Sequence, residues 1–128
     1  MELNKRQPTI KGPSDWFTGD VYLDRLANGG ELSPLSVGSV HFTPGARTAW
    51  HSHRGGQTLY VTEGKGLIQA HDGEVLEVTS GDVVVSGDGE LHWHGATPDY
   101  YMTHISMTIG EATWGQHVTD AQYFGPSK

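Results

Sequence analysis

The 128-residue sequence contains no cysteine, which excludes disulfides, thiolate metal sites and cysteine nucleophiles. Basic residues are scarce: eight Lys and Arg stand against fifteen Asp and Glu, for a formal net charge of −7. A chain this acidic offers no basic stripe for phosphate backbones, so neither nucleic acid nor an anionic membrane is expected as a partner. Long hydrophobic runs are absent as well. Val83-Val84-Val85 is among the longest, far short of the roughly 20 apolar residues that a membrane-spanning helix needs. Met1 to Arg6 leads into Gln7-Pro8 with no apolar stretch behind it, so no secretory signal is read and a cytoplasmic location is expected. Low-complexity tracts and internal repeats of solenoid length are also missing.

What the chain has in quantity is glycine, 18 residues, and histidine, eight. The glycines and six prolines are spread along the whole length, which suits many short strands joined by tight turns. Residues 1–15 form an N-terminal arm ending at Gly12-Pro13, irregular or an added edge strand. Residues 16–128 form one domain with a short C-terminal tail. Period-two alternation marks strands over Gly19–Leu26 and Leu35–Thr43, then over Thr58–Thr62, Gly66–Ala70, Val75–Val78 and Asp82–Val85, with Leu91–His94 and Tyr100–Ile109 completing the set. Glu63-Gly64-Lys65 reads as a separator. Asp72-Gly73 reads as a hairpin turn in which the glycine takes the positive φ. Thr119 is placed to cap one short helix ending at Phe124. The fold class is therefore all-β, a sandwich or barrel.

The chemistry concentrates in two segments. In the first, His51 and His53 stand at i and i+2, so an extended strand points both to one face. Gln57 begins the next strand after Arg54-Gly55-Gly56, and a hairpin would bring it alongside. In the second segment His92 supplies a third imidazole. Three neutral imidazoles and an oxygen suit a first-row divalent ion and leave positions open for substrate. Gln57 is either the oxygen ligand or a hydrogen-bonding group behind the ligands. An amide oxygen, unlike a carboxylate, cancels none of the cation's charge, so a bound water or alcohol becomes more acidic. His94, two residues past His92, points into the same space, and His104 lies on the following long strand. Either can act as a proton acceptor near neutral pH or as a group that orients a ligand. His41, His71 and His117 are expected at the surface, and Trp16, Trp50 and Trp114 in packing or subunit contacts.

These two segments resemble the paired motifs of the cupin superfamily. Gly45, His51, His53, Gln57 and Gly64 match every spacing of the first motif, with Gln57 where the motif has Glu. Gly81, Gly89 and His92 match the second, although Gly87 replaces its proline and Ala96 its asparagine. The resemblance implies a jelly-roll barrel, also called a double-stranded β-helix. At a finer level, Gly12 to Gly19, Pro44 to His53, Gly56-Gln57-Thr58-Leu59, His92-Trp93-His94-Gly95, Met102-Thr103-His104 and His117 to Asp120 are similar to the bacterial manganese-dependent cupin hydroxynitrile lyases. That likeness implies cleavage of cyanohydrins such as (R)-mandelonitrile, with Mn2+ as the ion (Fe2+, Zn2+, Ni2+ or Co2+ being alternatives). It implies His104 as the base and His94 as the group facing the departing anion. Gly38, Val40, Phe42, Leu59 and Thr108 would shape the substrate pocket. A small-molecule substrate and assembly as a homodimer or homotetramer are expected. A metal-dependent dioxygenase or oxidoreductase and a non-enzymatic ligand-binding barrel are the competing readings, because one cupin barrel hosts many chemistries.

Overall fold

The structure, a computed structural model, describes residues 1–125. The last three residues of the 16–128 domain read from the sequence lie outside the described residues. Twelve strands form one curled antiparallel sheet in this region: β1 Ile10–Lys11, β2 Phe17–Thr18, β3 Val21–Asn28, β4 Ser36–Phe42, β5 Arg47–Thr48, β6 His51–His53, β7 Gln57–Ala70, β8 Leu76–Thr79, β9 Val83–Ser86, β10 His92–Ala96, β11 Met102–Thr108 and β12 Ala112–Trp114. A short helix, α1, covers Asp120–Phe124. Neighbouring strands run β1-β3-β4-β11-β7-β10-β5-β2, with β6, β8, β9 and β12 attached to this path. No helix among the described residues is long and apolar enough to cross a membrane.

The topology turns on β7. Its first half pairs with β11 and β9, and its second half pairs with β10 and β8. One strand thus passes from one wall of the barrel to the other. The sequence places a break at Glu63-Gly64-Lys65, but β7 is continuous through it. Gly64 has φ +80°, and a Cβ there would collide with the carbonyl oxygen of Tyr101. β7 itself carries the bend as a β-bulge: Thr103 of β11 pairs with Glu63 and His104 with Val61, which leaves Thr62 as the extra residue. A bend with its ladder intact replaces the expected turn.

A second local reading is also corrected. Asp72, not Gly73, takes the positive φ, at 64°. Asp tolerates this conformation better than most residues because its short polar side chain can bond locally. The amide of Gly73 meanwhile donates to the carbonyl of Ala70. The strands β2, β5 and β12, two or three residues each, were not anticipated, since so short a run carries no period.

Burial follows strand parity. Val21, Phe42, Val61, Ala96 and Met102 are all 1% exposed or less and form the main apolar cluster with Phe17, Ala46 and Val78. A second cluster joins Trp50, Trp93, Val118 and Tyr123. It anchors α1, whose Thr119 accepts from the Gln122 amide in a reciprocal capping box. The buried Arg47 ties the same helix down, donating to the Val118 carbonyl at 2.9 Å and to Asp120 at 2.8 Å. Trp16 and Trp114 stack on each other, rings 5.1 Å apart and 6° from parallel.

Candidate metal centre and adjoining histidine pair

β6 and β10 are adjacent antiparallel strands with His51 directly opposite His92. Alternation along β6 brings His53 to the face that His51 occupies, and all three imidazoles are buried. One ring nitrogen from each of the three lies within 4.8 Å of the others. The connection to β7 is tight because Gly55 and Gly56 have φ +83° and +82°. A Cβ on Gly56 would strike the carbonyl oxygen of Ser86. A corner free of side chains lets β7 begin shortly after β6 and brings Gln57 to His92.

Two of the rings are oriented by the same local device. His51 Nδ1 donates to the carbonyl of Ala49 at 2.9 Å, and His92 Nδ1 donates to that of Glu90 at 2.8 Å. A carbonyl can only accept, so Nδ1 carries the proton and Nε2 keeps its lone pair. Both nitrogens of His53 are buried without a hydrogen-bond partner among the described residues. Gln57 donates through Nε2 to Ser106 Oγ at 2.8 Å, which turns its carbonyl oxygen to within 2.9 Å of His92 Nε2. Two lone pairs therefore face each other across a hydrogen-bond distance.

Burial pushes the imidazoles toward the neutral form. His51 is lowered from 6.5 to about 3 by desolvation first and then by His92, and His53 to about 4 for the same two reasons. Desolvation also lowers His92. Neutral rings with inward lone pairs, a His53 unpartnered among the described residues and an opposed carbonyl make up a donor set that a divalent cation would satisfy. His51, His53 and His92 could hold such an ion, and the Gln57 carbonyl oxygen lies beside His92 as a fourth oxygen donor.

Next to this cluster lies a second pair. His104 Nε2 and His94 Nδ1 are 3.0 Å apart, and the far nitrogens, His94 Nε2 and His104 Nδ1, have no partner among the described residues. Burial, then His104 and the three cluster rings, pushes His94 well down, and burial lowers His104 to about 3. His94 is the member closer to the cluster, its ring 5.1 Å from His51 and 5.6 Å from His92. Phe42 packs against both members, 5.9 Å from His94 and 5.3 Å from His104.

The residues predicted to shape a pocket all lie on the inner face, but they do not meet in one cavity. Leu59 lines a cavity of about 650 Å³ together with His92, His94, Ile68, Val84 and Ser86. Gly38, Val40 and Thr108 line a separate recess of about 280 Å³ with Ser106 and Leu23. Phe42 is buried between the histidine pair and the apolar core. His94 is on the wall of the larger cavity, whereas His104 is fully buried behind it. Of the other histidines, His71 and His117 are exposed and His41 is half-buried. Two neighbours of the site are not read as such from the sequence, Trp114 being expected there only in packing or subunit contacts. Trp114 lies over His51, ring centres 4.5 Å apart. Ser106 is the partner of the Gln57 amide, and its one sequence signal is its position two residues beyond His104 on the same strand face.

Comparison with known proteins agrees with this architecture. A family model described as a cupin domain matches residues 38–106, a span that holds all four candidate ligands. The protein named (R)-mandelonitrile lyase from Granulicella tundricola is 50% identical over 129 aligned residues, covering 96% of this chain and 98% of that protein. A cupin-like protein from Thermotoga maritima, known by crystal structure, superposes with a TM-score of 0.86 at 40% identity, over 96% of this chain and 95% of that one. The polyketide cyclase RemF from Streptomyces resistomycificus shares the fold alone, with a TM-score of 0.73 at 18% identity over 96% of this chain and 90% of that one.

Proposed function

The chain belongs to the cupin family, and from that premise we propose that it is a metal-dependent hydroxynitrile lyase acting on cyanohydrins such as (R)-mandelonitrile. Its likeness over nearly its full length to the Granulicella tundricola lyase carries the substrate class. A neutral, mutually bonded His94–His104 pair beside the His51–His53–Gln57–His92 cluster supports the proton chemistry. We assign Mn2+ as the ion on the resemblance to the manganese-dependent lyases; other first-row divalent ions compete for the same donors.

Held by these four residues, a divalent ion supplies Lewis acidity to the substrate hydroxyl. The protein's own groups do the rest. The wall of the larger cavity, with Leu59, Ile68 and Val84, receives the apolar part of the cyanohydrin and keeps water from it. His94 lies on that wall next to the cluster, and its buried Nε2 has no partner among the described residues. His104 holds His94 through the 3.0 Å bond and shares the proton that the hydroxyl gives up. As the bond between the carbinol carbon and the nitrile carbon breaks, its electron pair leaves with cyanide and the hydroxyl oxygen becomes the carbonyl oxygen. The pair then returns the proton to cyanide, so that aldehyde and hydrogen cyanide are the products and both imidazoles end neutral.

The test is benzaldehyde release from racemic mandelonitrile by manganese-loaded protein, beside metal-stripped, His94→Ala and His104→Ala samples. Metal-dependent cleavage is expected, with kcat lower by roughly 10²–10⁴-fold in the histidine variants, the range for losing a general acid–base group. Absence of cleavage above the uncatalysed rate refutes the lyase reading. Oxygen uptake with the iron-loaded protein would then mark an oxygenase.

A further inference from the structure

We propose that Ser106 is a positioning residue that decides which end of the Gln57 amide faces the metal, and so sets metal affinity without touching the ion. The inference rests on the reading of His51, His53, Gln57 and His92 as the ligand set.

A primary amide presents an oxygen acceptor at one end and a double donor at the other, in nearly the same shape. Turned one way, Gln57 offers a carbonyl to a cation. Turned the other way, it offers N–H to the lone pair of His92 Nε2. The second arrangement makes a good hydrogen bond within the protein and removes a ligand. His92 cannot prevent it, because its Nδ1 proton is committed to the Glu90 carbonyl and its Nε2 can only accept. In the structure the amide is turned the first way, with the oxygen 2.9 Å from His92 Nε2 and Nε2 bonded to Ser106 Oγ at 2.8 Å. Ser106 is the group that compensates the donor end.

The placement of Ser106 is a consequence of sheet register. On β11 it lies opposite Gly38 of β4 and Leu59 of β7, and Gln57 is the inward residue one pleat along β7 from Leu59. The register shift between Thr103 and His104 sets this alignment. Gly38 opposite it contributes no side chain to compete for the hydroxyl. A carboxylate at position 57 would need no such partner, since both its ends accept. Gln57, where the cupin motif has Glu, therefore creates a requirement for a donor-compensating neighbour, and Ser106 fills it.

The experiment is titration with Mn2+ alone, read by the paramagnetic resonance signal of the free ion, on the full chain and on His53→Ala, Ser106→Ala, Gln57→Glu and Ser106→Ala/Gln57→Glu. Ser106→Ala is expected to weaken Mn2+ binding by about 10–100-fold, the range for losing a group that orients a ligand. On the Gln57→Glu background the same serine change is expected to cost less than about threefold, and this restored binding also shows that the barrel tolerates the alanine. Equal losses on both backgrounds, or no loss on the Gln57 background, overturn the proposal. If His53→Ala binds Mn2+ like the unaltered protein, the ligand set itself is wrong, which is a separate failure.

Discussion

His41 and His104 occupy neighbouring strands, one residue apart in register: His41 pairs with Thr103, and Val40 pairs with His104. Their surroundings are opposite. On the outer face, His41 donates through Nε2 to Asp24 at 2.9 Å, and its Nδ1 sits 3.1 Å from the Thr103 hydroxyl. Both nitrogens are used, and the ring is half-buried. On the inner face, His104 is fully buried, bonded at one nitrogen to His94 and unpartnered at the other. The first histidine completes a hydrogen-bond network. The second leaves one open, as do His53 and His94. Which face of the sheet a histidine points to sets its surroundings, and incomplete hydrogen bonding separates His53, His94 and His104 from His41.

The comparison is broken most severely by removing an inner ligand. His53→Ala is expected to lower Mn2+ affinity by more than about 100-fold, beyond what loss of a merely orienting group produces. Cyanohydrin cleavage should fall with it, while the circular dichroism of the barrel stays that of the parent. Metal content after gel filtration, measured by mass spectrometry, checks this directly. Retention of a full equivalent of metal would remove His53 from the ligand set.

A smaller effect sharpens the contrast through pH. His104 has a folded-state pKa near 3 against an ordinary 6.5, with burial the leading cause. Between those values the unfolded chain binds a proton that the folded chain refuses, so stability rises with pH across this window. The contribution is complete above about pH 6.5 and is lost as pH falls toward 3. One such group corresponds to about 1.4 kcal/mol per pH unit within the window. Metal-stripped protein should therefore lose stability between pH 6.5 and 4.5, by urea unfolding. His104→Leu should make that loss smaller. An unchanged slope would mean that the buried ring takes up a proton in the folded state.

How much of this was legible in the sequence depends on the range of the cause. The convergence of His51 and His53 follows from strand parity, a local rule, and the spacing to Gln57 and His92 carries the rest of the cluster. The capped helix at Thr119 is equally local. The continuity of β7 through Gly64 was not legible, because Glu63-Gly64-Lys65 looks like a turn until Tyr101 is seen packed over the glycine. The same long-range register conceals Ser106, whose alignment with Gln57 depends on the bulge of β7 at Thr62. The separation of the predicted pocket residues into two openings is likewise a property of how the walls curve. The positive φ at Asp72 shows the reverse failure: a local rule named the right turn and the wrong residue.

The smallest expected effect belongs to the outer histidine. His41→Ala removes two hydrogen bonds, one of them to Asp24, which keeps a second partner in the Thr9 hydroxyl. The pair is partly solvated, side chains 38% and 24% exposed for His41 and Asp24, so water replaces what is lost. Pairs of this kind contribute about 0.2–1 kcal/mol. Asp24 is held below the usual carboxylate value by Thr9 first and His41 second, so its own contribution is present above about pH 4 and is lost as pH falls through the lowered value. The variant should consequently lose at most about 1 kcal/mol at pH 7, by urea unfolding. Its kcat on mandelonitrile and its Mn2+ affinity should stay within about twofold of the parent, since the ring lies across the sheet from both. A drop in Mn2+ affinity as large as that of His53→Ala would mean that the two faces are coupled through β4 and β11, and the division between a structural and a chemical histidine would not hold.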